Sequence, residues 1–222
     1  MHCCAPLPRR RFLAASLAAP LAAGGAGLWL PSSLRAATAA LTPRQSEGPF
    51  YPVAIPADSD SNLVRVAGRS EPAAGAVVQV FGQVRDDRGR PLAGGAVEIW
   101  QCDAFGHYHH PRDRGGRADP NFQGFGRATV DEQGRYAFLT IKPVPYPGRT
   151  PHIHFAVSGP GVERLVTQMY LAGHPQNARD FLYNAIGDPA ARDSVTVAFE
   201  PAPNLGPGIA AGRFDLVLGR SL

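Results

Sequence analysis

The chain has 222 residues, a formal net charge of +4, 25 glycines, 22 prolines and three cysteines. Its basic excess belongs to the first 39 residues, which hold Arg9, Arg10, Arg11 and Arg35 and no acid, so the remainder is formally neutral and carries no basic footprint for nucleic acid or an anionic membrane. Cys102 is the one thiol beyond that stretch, which excludes an intrachain disulfide scaffold, and the roughly 183 residues left are enough for one domain held by its core.

The first 39 residues read as a targeting segment. Arg9-Arg10-Arg11-Phe12-Leu13 fits a twin-arginine signal, Leu13 to Leu30 is an apolar stretch, and the small residues Ala36 to Ala40 suit a signal peptidase. Pro20, Pro31, Gly24, Gly25 and Gly27 interrupt or end the apolar run, which argues against a retained membrane anchor. The expected organisation is a twin-arginine signal peptide over 1–39 and a single domain over 40–222, exported to the periplasm or beyond and free of the membrane after cleavage. Proteins exported this way fold first, which would let a metal be loaded before crossing.

From residue 75 onward, short apolar or alternating runs recur: Val77 to Val84, Ala96 to Cys102, Arg135 to Ile141, His152 to Ser158, Leu165 to Leu171, Ser194 to Phe199 and Arg213 to Leu218. These read as strands. Between them, Asp86-Asp87-Arg88-Gly89, Asp131-Glu132-Gln133-Gly134 and Ser158-Gly159-Pro160-Gly161 favour tight turns. Only Ala178 to Ile186 reads as a short helix, so the pattern predicts an all-β, antiparallel β-sandwich with long loops. Residues 41–74 and 105–127 are the long connections. The second holds His107, Tyr108, His109, His110, Phe122 and Phe125, a composition too aromatic for disorder, and is expected to pack over a site.

His152-Ile153-His154 opens a strand-like run, and side chains two apart on a strand share a face, so both imidazoles can reach one metal. The pair alone fits two hydrogen-bonded core histidines equally well. Zinc and copper arrangements fit poorly with one thiol and no H-E-x-x-H pattern. Just upstream, Pro143-Val144-Pro145-Tyr146-Pro147 holds Tyr146 extended beside the histidines, where a lone tyrosine would ordinarily be a packing residue.

Gly95-Ala96-Val97-Glu98-Ile99-Trp100-Gln101-Cys102-Asp103-Ala104 followed by Gly106-His107-Tyr108 resembles the intradiol ring-cleavage dioxygenases. So do Asp119-Pro120-Asn121-Phe122-Gln123-Gly124-Phe125-Gly126-Arg127, Thr140-Ile141-Lys142-Pro143 through Tyr146-Pro147, and Pro151-His152-Ile153-His154-Phe155. The resemblance runs from about Thr42 to Leu218, with several motifs in family order. It implies a mononuclear Fe(III) held by Tyr108, Tyr146, His152 and His154, a catechol-type small molecule and O2 as substrates, and cleavage of the ring between its two hydroxyls to a muconate-type diacid. Two phenolates would offset much of the ferric charge.

By the same resemblance Tyr146 is the tyrosine displaced by substrate, Arg149 the arginine near the ring, and Gln168 an amide beside the ligands; His107, His109 and His110 are loop residues or residues packed around the ligands. Without the resemblance, Arg149 and Gln168 would read as a solvated loop arginine and a strand residue. Arg112, Arg114 and Arg117 follow Tyr108 and raise the expectation that one of them meets a substrate carboxylate, against the alternative that all three are solvated. A homo-oligomer is left open. The competing readings are a metal-free transthyretin-like β-sandwich module, suggested by Gly89-Arg90-Pro91-Leu92-Ala93-Gly94-Gly95 and the strand after it, and a His-x-His superoxide dismutase sandwich. Neither needs Tyr108 and Tyr146 alongside the two histidines.

Overall fold

A computed structural model describes residues 39–221; the twin-arginine segment, but for its last position, lies outside them. Ten strands form two five-stranded sheets. The first contains β1 (Val77–Asp86), β4 (Arg135–Ile141), β8 (Glu200–Pro201), β9 (Ala210–Arg213) and β10 (Leu216–Leu218). The second runs in the order β3 (Phe125–Thr129), β2 (Ala96–Trp100), β5 (His152–Ser158), β6 (Leu165–Leu171), β7 (Thr196–Val197). α1 (Phe181–Asn184) falls within the short helix expected over Ala178 to Ile186; a 3-10 turn (Pro175–Arg179) precedes it, and α2 (Pro189–Ser194) is a further helix that was not expected. Among the described residues no helix is long and apolar enough to cross a membrane.

The sandwich expectation holds, but the sheets are mixed rather than purely antiparallel. β9 and β10 pair parallel to β1, and β7 pairs parallel to β6. Phe81 pairs with Arg213 and Val84 with Leu216 at the same offset, so β9 and β10 are one strand bent at Phe214 and Asp215. A Cβ on Gly82 would lie 1.9 Å from the Phe214 carbonyl oxygen, so only glycine allows this approach. Parallel pairing needs a long crossover, which the stretch after β4 supplies, and no hairpin signal marks it.

Alternation builds the core. Along β1 buried positions alternate with half-exposed ones, and Val80 and Val84 meet Phe138, Ile153, Phe155, Val157, Ile99 and Leu216 between the sheets. β5 is buried on both faces from His152 to Val157. With Ile153, Phe155 and Val157 turned to the core, the two-residue period turns His152, His154 and Ala156 to the other face of the second sheet. Trp100, Tyr108, Phe125 and Ala156 form a second apolar cluster there, packed against Phe50, Tyr51 and Tyr146. The two long connections therefore cover the outer face of the second sheet, which is where a site can form.

Candidate active site

Register sets the first half of the site. His154 pairs with Trp100 on one side and Gln168 on the other, while His152 pairs with Tyr170. Both imidazoles are about 1% exposed, and their Nε2 atoms lie 3.2 Å apart. His152 Nδ1 sits 2.7 Å from the Thr150 carbonyl oxygen, which fixes Nδ1 as the donor and leaves the Nε2 lone pair facing His154. The Trp100 ring stacks on His154, with centroids 4.8 Å apart and planes 8° from parallel. Burial and the nearby Arg149 guanidinium hold His152 down to about 3; burial, His152 and Arg149 hold His154 well below its usual range. Both rings are thus neutral at physiological pH, the form a metal requires.

Tyr108 arrives on a loop built by aspartates. Asp103 Oδ1 accepts from the amides of Phe105 (2.8 Å) and His107 (2.9 Å), and its Oδ2 accepts from Asp119 N (2.7 Å). Gly106, with φ of 85°, closes the turn through a bond to the Asp103 carbonyl. Asp113 Oδ2 then takes the Tyr108 amide at 2.5 Å. The Tyr108 ring packs on Phe50 at 4.4 Å, and its hydroxyl is buried without a hydrogen-bond partner. Burial pushes this phenol well above its usual range, with Tyr146 adding to the shift.

Tyr146 comes from a different turn. In Tyr146-Pro147-Gly148-Arg149 the Arg149 amide donates to the Tyr146 carbonyl at 2.9 Å and Gly148 has φ of 81°, the type II arrangement favoured by Pro then Gly. The Tyr146 ring centroid lies 5.6 Å from that of Tyr108 and 5.5 Å from that of His152. Burial raises its phenol too, opposed by the Arg149 charge. Unlike Tyr108, Tyr146 is half-exposed.

Arg149 and Gln168 belong to the same cluster. Arg149 Nε donates to Asp180 Oδ2 at 2.8 Å and its Nη2 to Gln168 Oε1 at 2.5 Å. Gln168 Nε2 donates to the Ser46 carbonyl at 3.1 Å, which ties residues 45–51 across the site. A Cβ on Gly48 would come within 3.3 Å of His154 Cε1, so that strap lies directly on the imidazole.

The arrangement fits a cation. Two lone-pair-bearing nitrogens at 3.2 Å need a proton or a cation between them, and a buried unpaired hydroxyl costs about 1–3 kcal/mol unless a ligand satisfies it. Buried phenols stay neutral unless a positive charge offsets their ionisation. Among the described residues there is no cluster of three or more His, Cys, Asp or Glu that could hold a metal.

The sequence-predicted residues Tyr108, Tyr146, Arg149, His152, His154 and Gln168 thus come together. Arg112 and Arg114 are exposed and line no cavity with them, whereas Arg117, also exposed, lines a cavity together with Tyr108, His109 and Phe122. His109 Nε2 is bound to the Asp119 carbonyl at 2.8 Å, His110 Nδ1 accepts from the Arg112 amide at 3.1 Å, and His107 packs over Gly116. They are loop residues, as the resemblance implied. A cavity of about 730 Å³ between Phe81, Gln83, Arg127 and Tyr136 contains none of the site residues, whereas smaller ones are lined by Tyr108 and Trp100. Sequence reasoning missed Asp180, Asp103, Phe50 and the strap from Gln45.

Residues 46–220 match the profile of the family described as Dioxygenase. A protocatechuate 3,4-dioxygenase beta chain from Burkholderia cepacia is 38% identical over 185 residues, which are 79% of this chain and 78% of that one. The chain belongs to the intradiol ring-cleavage dioxygenases. Among relatives in this family, a catechol 1,2-dioxygenase from Candida albicans is 34% identical over 56% of this chain. The chain spans 44% of that relative's length, so the relative's whole activity is not transferred with the fold. Of solved structures, the dioxygenase domain of a carbohydrate-binding fusion protein from Streptomyces sp. SirexAA-E superposes with a TM-score of 0.61 and 32% identity, covering 82% of this chain and 100% of that one. The mercury-inhibited catechol 1,2-dioxygenase from Acinetobacter sp. ADP1 gives 0.64 and 29%, covering 82% and 63%. Membership in this family sets aside the superoxide dismutase and transthyretin-like module readings of this chain's lineage.

Proposed function

We propose that this intradiol dioxygenase binds one Fe(III) through Tyr108, Tyr146, His152 and His154, and that it cleaves a catechol between its two hydroxyls with both atoms of O2, yielding a muconate-type diacid. We further propose that the folded domain is exported by the twin-arginine route. The observation that carries the first reading is the convergence of two neutral imidazoles, with Nε2 atoms 3.2 Å apart, and two phenols, one with an orphaned hydroxyl. Ferric iron, when bound there, supplies the positive charge that lets these phenols and a catechol ionise near neutral pH and that activates the ring towards O2.

The chain's own residues supply the rest. Tyr146, half-exposed on its turn, is the ligand free to swing away, and its Oη can then take a proton from an incoming catechol hydroxyl. Tyr108 is locked by Phe50 and Asp113 and stays in place. Arg149 brings a fixed positive charge to the pocket, suited to stabilising negative charge that develops on the ring. Gln168 holds that guanidinium on one side, while Trp100, Phe50 and the strap from Gln45 exclude water, which strengthens each of these interactions.

The test is to express the protein with ample iron, measure metal content and the tyrosinate charge-transfer colour, and record oxygen uptake with a panel of catechols. About one iron per chain, colour and muconate-type products are expected. A colourless protein carrying stoichiometric zinc, or no oxygen uptake with any catechol, would refute the reading. The localisation is tested separately, by changing Arg10 and Arg11 to lysine and following the protein between cytoplasm and periplasm.

A further inference from the structure

Asp180 is buried at 1% exposure and joins three parts of the molecule. Its Oδ1 accepts from the Tyr183 amide at 3.0 Å, capping α1. Its Oδ2 accepts from the Thr150 amide at 2.9 Å, two residues before His152, and from Arg149 Nε at 2.8 Å. Capping alone requires only one oxygen, and serine or asparagine does it as well. The second oxygen is committed to Arg149, whose Nη2 is held by Gln168. With two of its three nitrogens fixed, the planar guanidinium has one orientation. The Phe181 ring, next in sequence to Asp180, lies 5.9 Å from the guanidinium carbon and closes over it.

We infer that Asp180 is a positioning residue for ring cleavage, fixing the Arg149 guanidinium beside Tyr146 so that its charge meets the reacting catechol. This rests on the proposed ring-cleavage activity. The carboxylate never touches substrate; it acts through Arg149. Burial would push its carboxyl up, but the Tyr183 and Thr150 amides and the Arg149 charge outweigh burial and hold it below the usual carboxylate range, so the clamp is present throughout the neutral range. A buried arginine freed from its carboxylate would turn towards any other acceptor, and its position over the ring would be lost.

The experiment is a double-mutant cycle on the iron-loaded enzyme. Asp180→Asn keeps the capping oxygen and the volume but removes the charge, and should lower kcat by roughly ten- to a hundredfold with little change in KM. In an Arg149→Ala background the same change should cost less than about twofold, because the group it positions is gone. Equal losses in both backgrounds, or wild-type kcat in the single variant, would overturn the inference and return Asp180 to a purely structural cap. If the asparagine variant does not fold, Asp180→Ser takes its place with the same outcomes. A second readout needs no turnover: phenylglyoxal labelling of Arg149, read by peptide mass spectrometry, should be slow in the wild-type protein and fast in the Asp180 variant. If the wild-type protein cleaves no catechol, the functional reading falls, while equal labelling of the two proteins still refutes the clamp itself.

Discussion

The four candidate ligands divide into two pairs of different construction. His152 and His154 stand on a central strand, where pairing to β2 and β6, the Thr150 carbonyl and the Trp100 face fix them. Tyr108 and Tyr146 stand on loops, each placed by one short turn: the first by the Asp103 carboxylate, the second by Pro147 and Gly148. A strand-borne pair inherits its geometry from a cooperative ladder and survives loop changes. A loop-borne pair depends on single groups, and this allows its members to differ, so that one tyrosine is locked while the other can move.

The loop half is broken by cutting it at its base. Asp103→Ala leaves the buried Asp119 amide and the partly buried amides of Phe105 and His107 without their acceptor, a loss of about 1–3 kcal/mol. Chemical denaturation and iron content should both fall. If they stay at wild-type values, the loop is held by something other than this carboxylate.

The strand half is broken by acid instead. An unfolded histidine takes up a proton near pH 6.5, but folded, metal-free His152 does so only at about 3, and burial and the His152 and Arg149 charges hold His154 well below its usual range. Between those values the unfolded chain binds more protons, so stability falls as pH falls from about 6.5 towards 3, by up to about 1.4 kcal/mol per unit for each histidine. Denaturation of metal-stripped protein at a series of pH values measures the slope. A slope unchanged in His152→Gln would show that these imidazoles are not its source.

A smaller effect tests the Tyr146 turn. Gly148 has φ of 81° and nothing within 4 Å of an added Cβ, so Gly148→Ala meets no clash and costs only the backbone strain of about 1–2 kcal/mol. The substrate-binding rate should change more than the melting temperature. Gly148→Asn, which tolerates this conformation, should restore most of the loss.

Least of all is expected from Asp131→Ala. Asp131-Glu132-Gln133-Gly134-Arg135 forms the same turn as Asp103 to His107: Oδ1 accepts from the amides two and four residues on, and Gly134 has φ of 79°. Its carboxylate lies near the surface, pairs with Arg135 and delivers no site residue, so the melting temperature should fall little and activity should stay near wild type. A loss matching that of Asp103→Ala would mean that the turn itself, and not the tyrosine it delivers, is what stability requires.

That pair of turns also shows what the sequence reveals and what it hides. The D-x-x-G pattern at Asp86 and Asp131 marks its turns locally, since donor, acceptor and glycine lie within five residues. The same pattern at Asp103 went unread inside a long connection, because its second oxygen is satisfied by Asp119, sixteen positions on. The histidines were legible by strand period, and the sandwich by recurring short runs. Strands β3 and β9 were not: Phe125-Gly126-Arg127-Ala128-Thr129 and Ala210-Ala211-Gly212-Arg213 are short, contain glycine and lack β-branched runs, and gain their order from neighbours. The tyrosine pair, Arg149 and Gln168 were reached only through family resemblance. Asp180 shows locally only the N-cap of α1, since its partners at Arg149 and Thr150 lie about thirty residues away.

Strand β1 has the opposite problem to the site: it is the longest strand, yet its parallel neighbours β9 and β10 come from the far end of the chain. Along one edge it pairs early, with β4, and along the other it stays open until residues 210–218 have been synthesised. Closing so wide a loop precedes any gain from the contacts it makes, so this topology should fold slowly. During that interval an unpaired, valine-rich edge is exposed, the kind of surface that draws chaperones or aggregates. Expression yield should therefore respond to growth temperature and chaperone supply before it responds to iron.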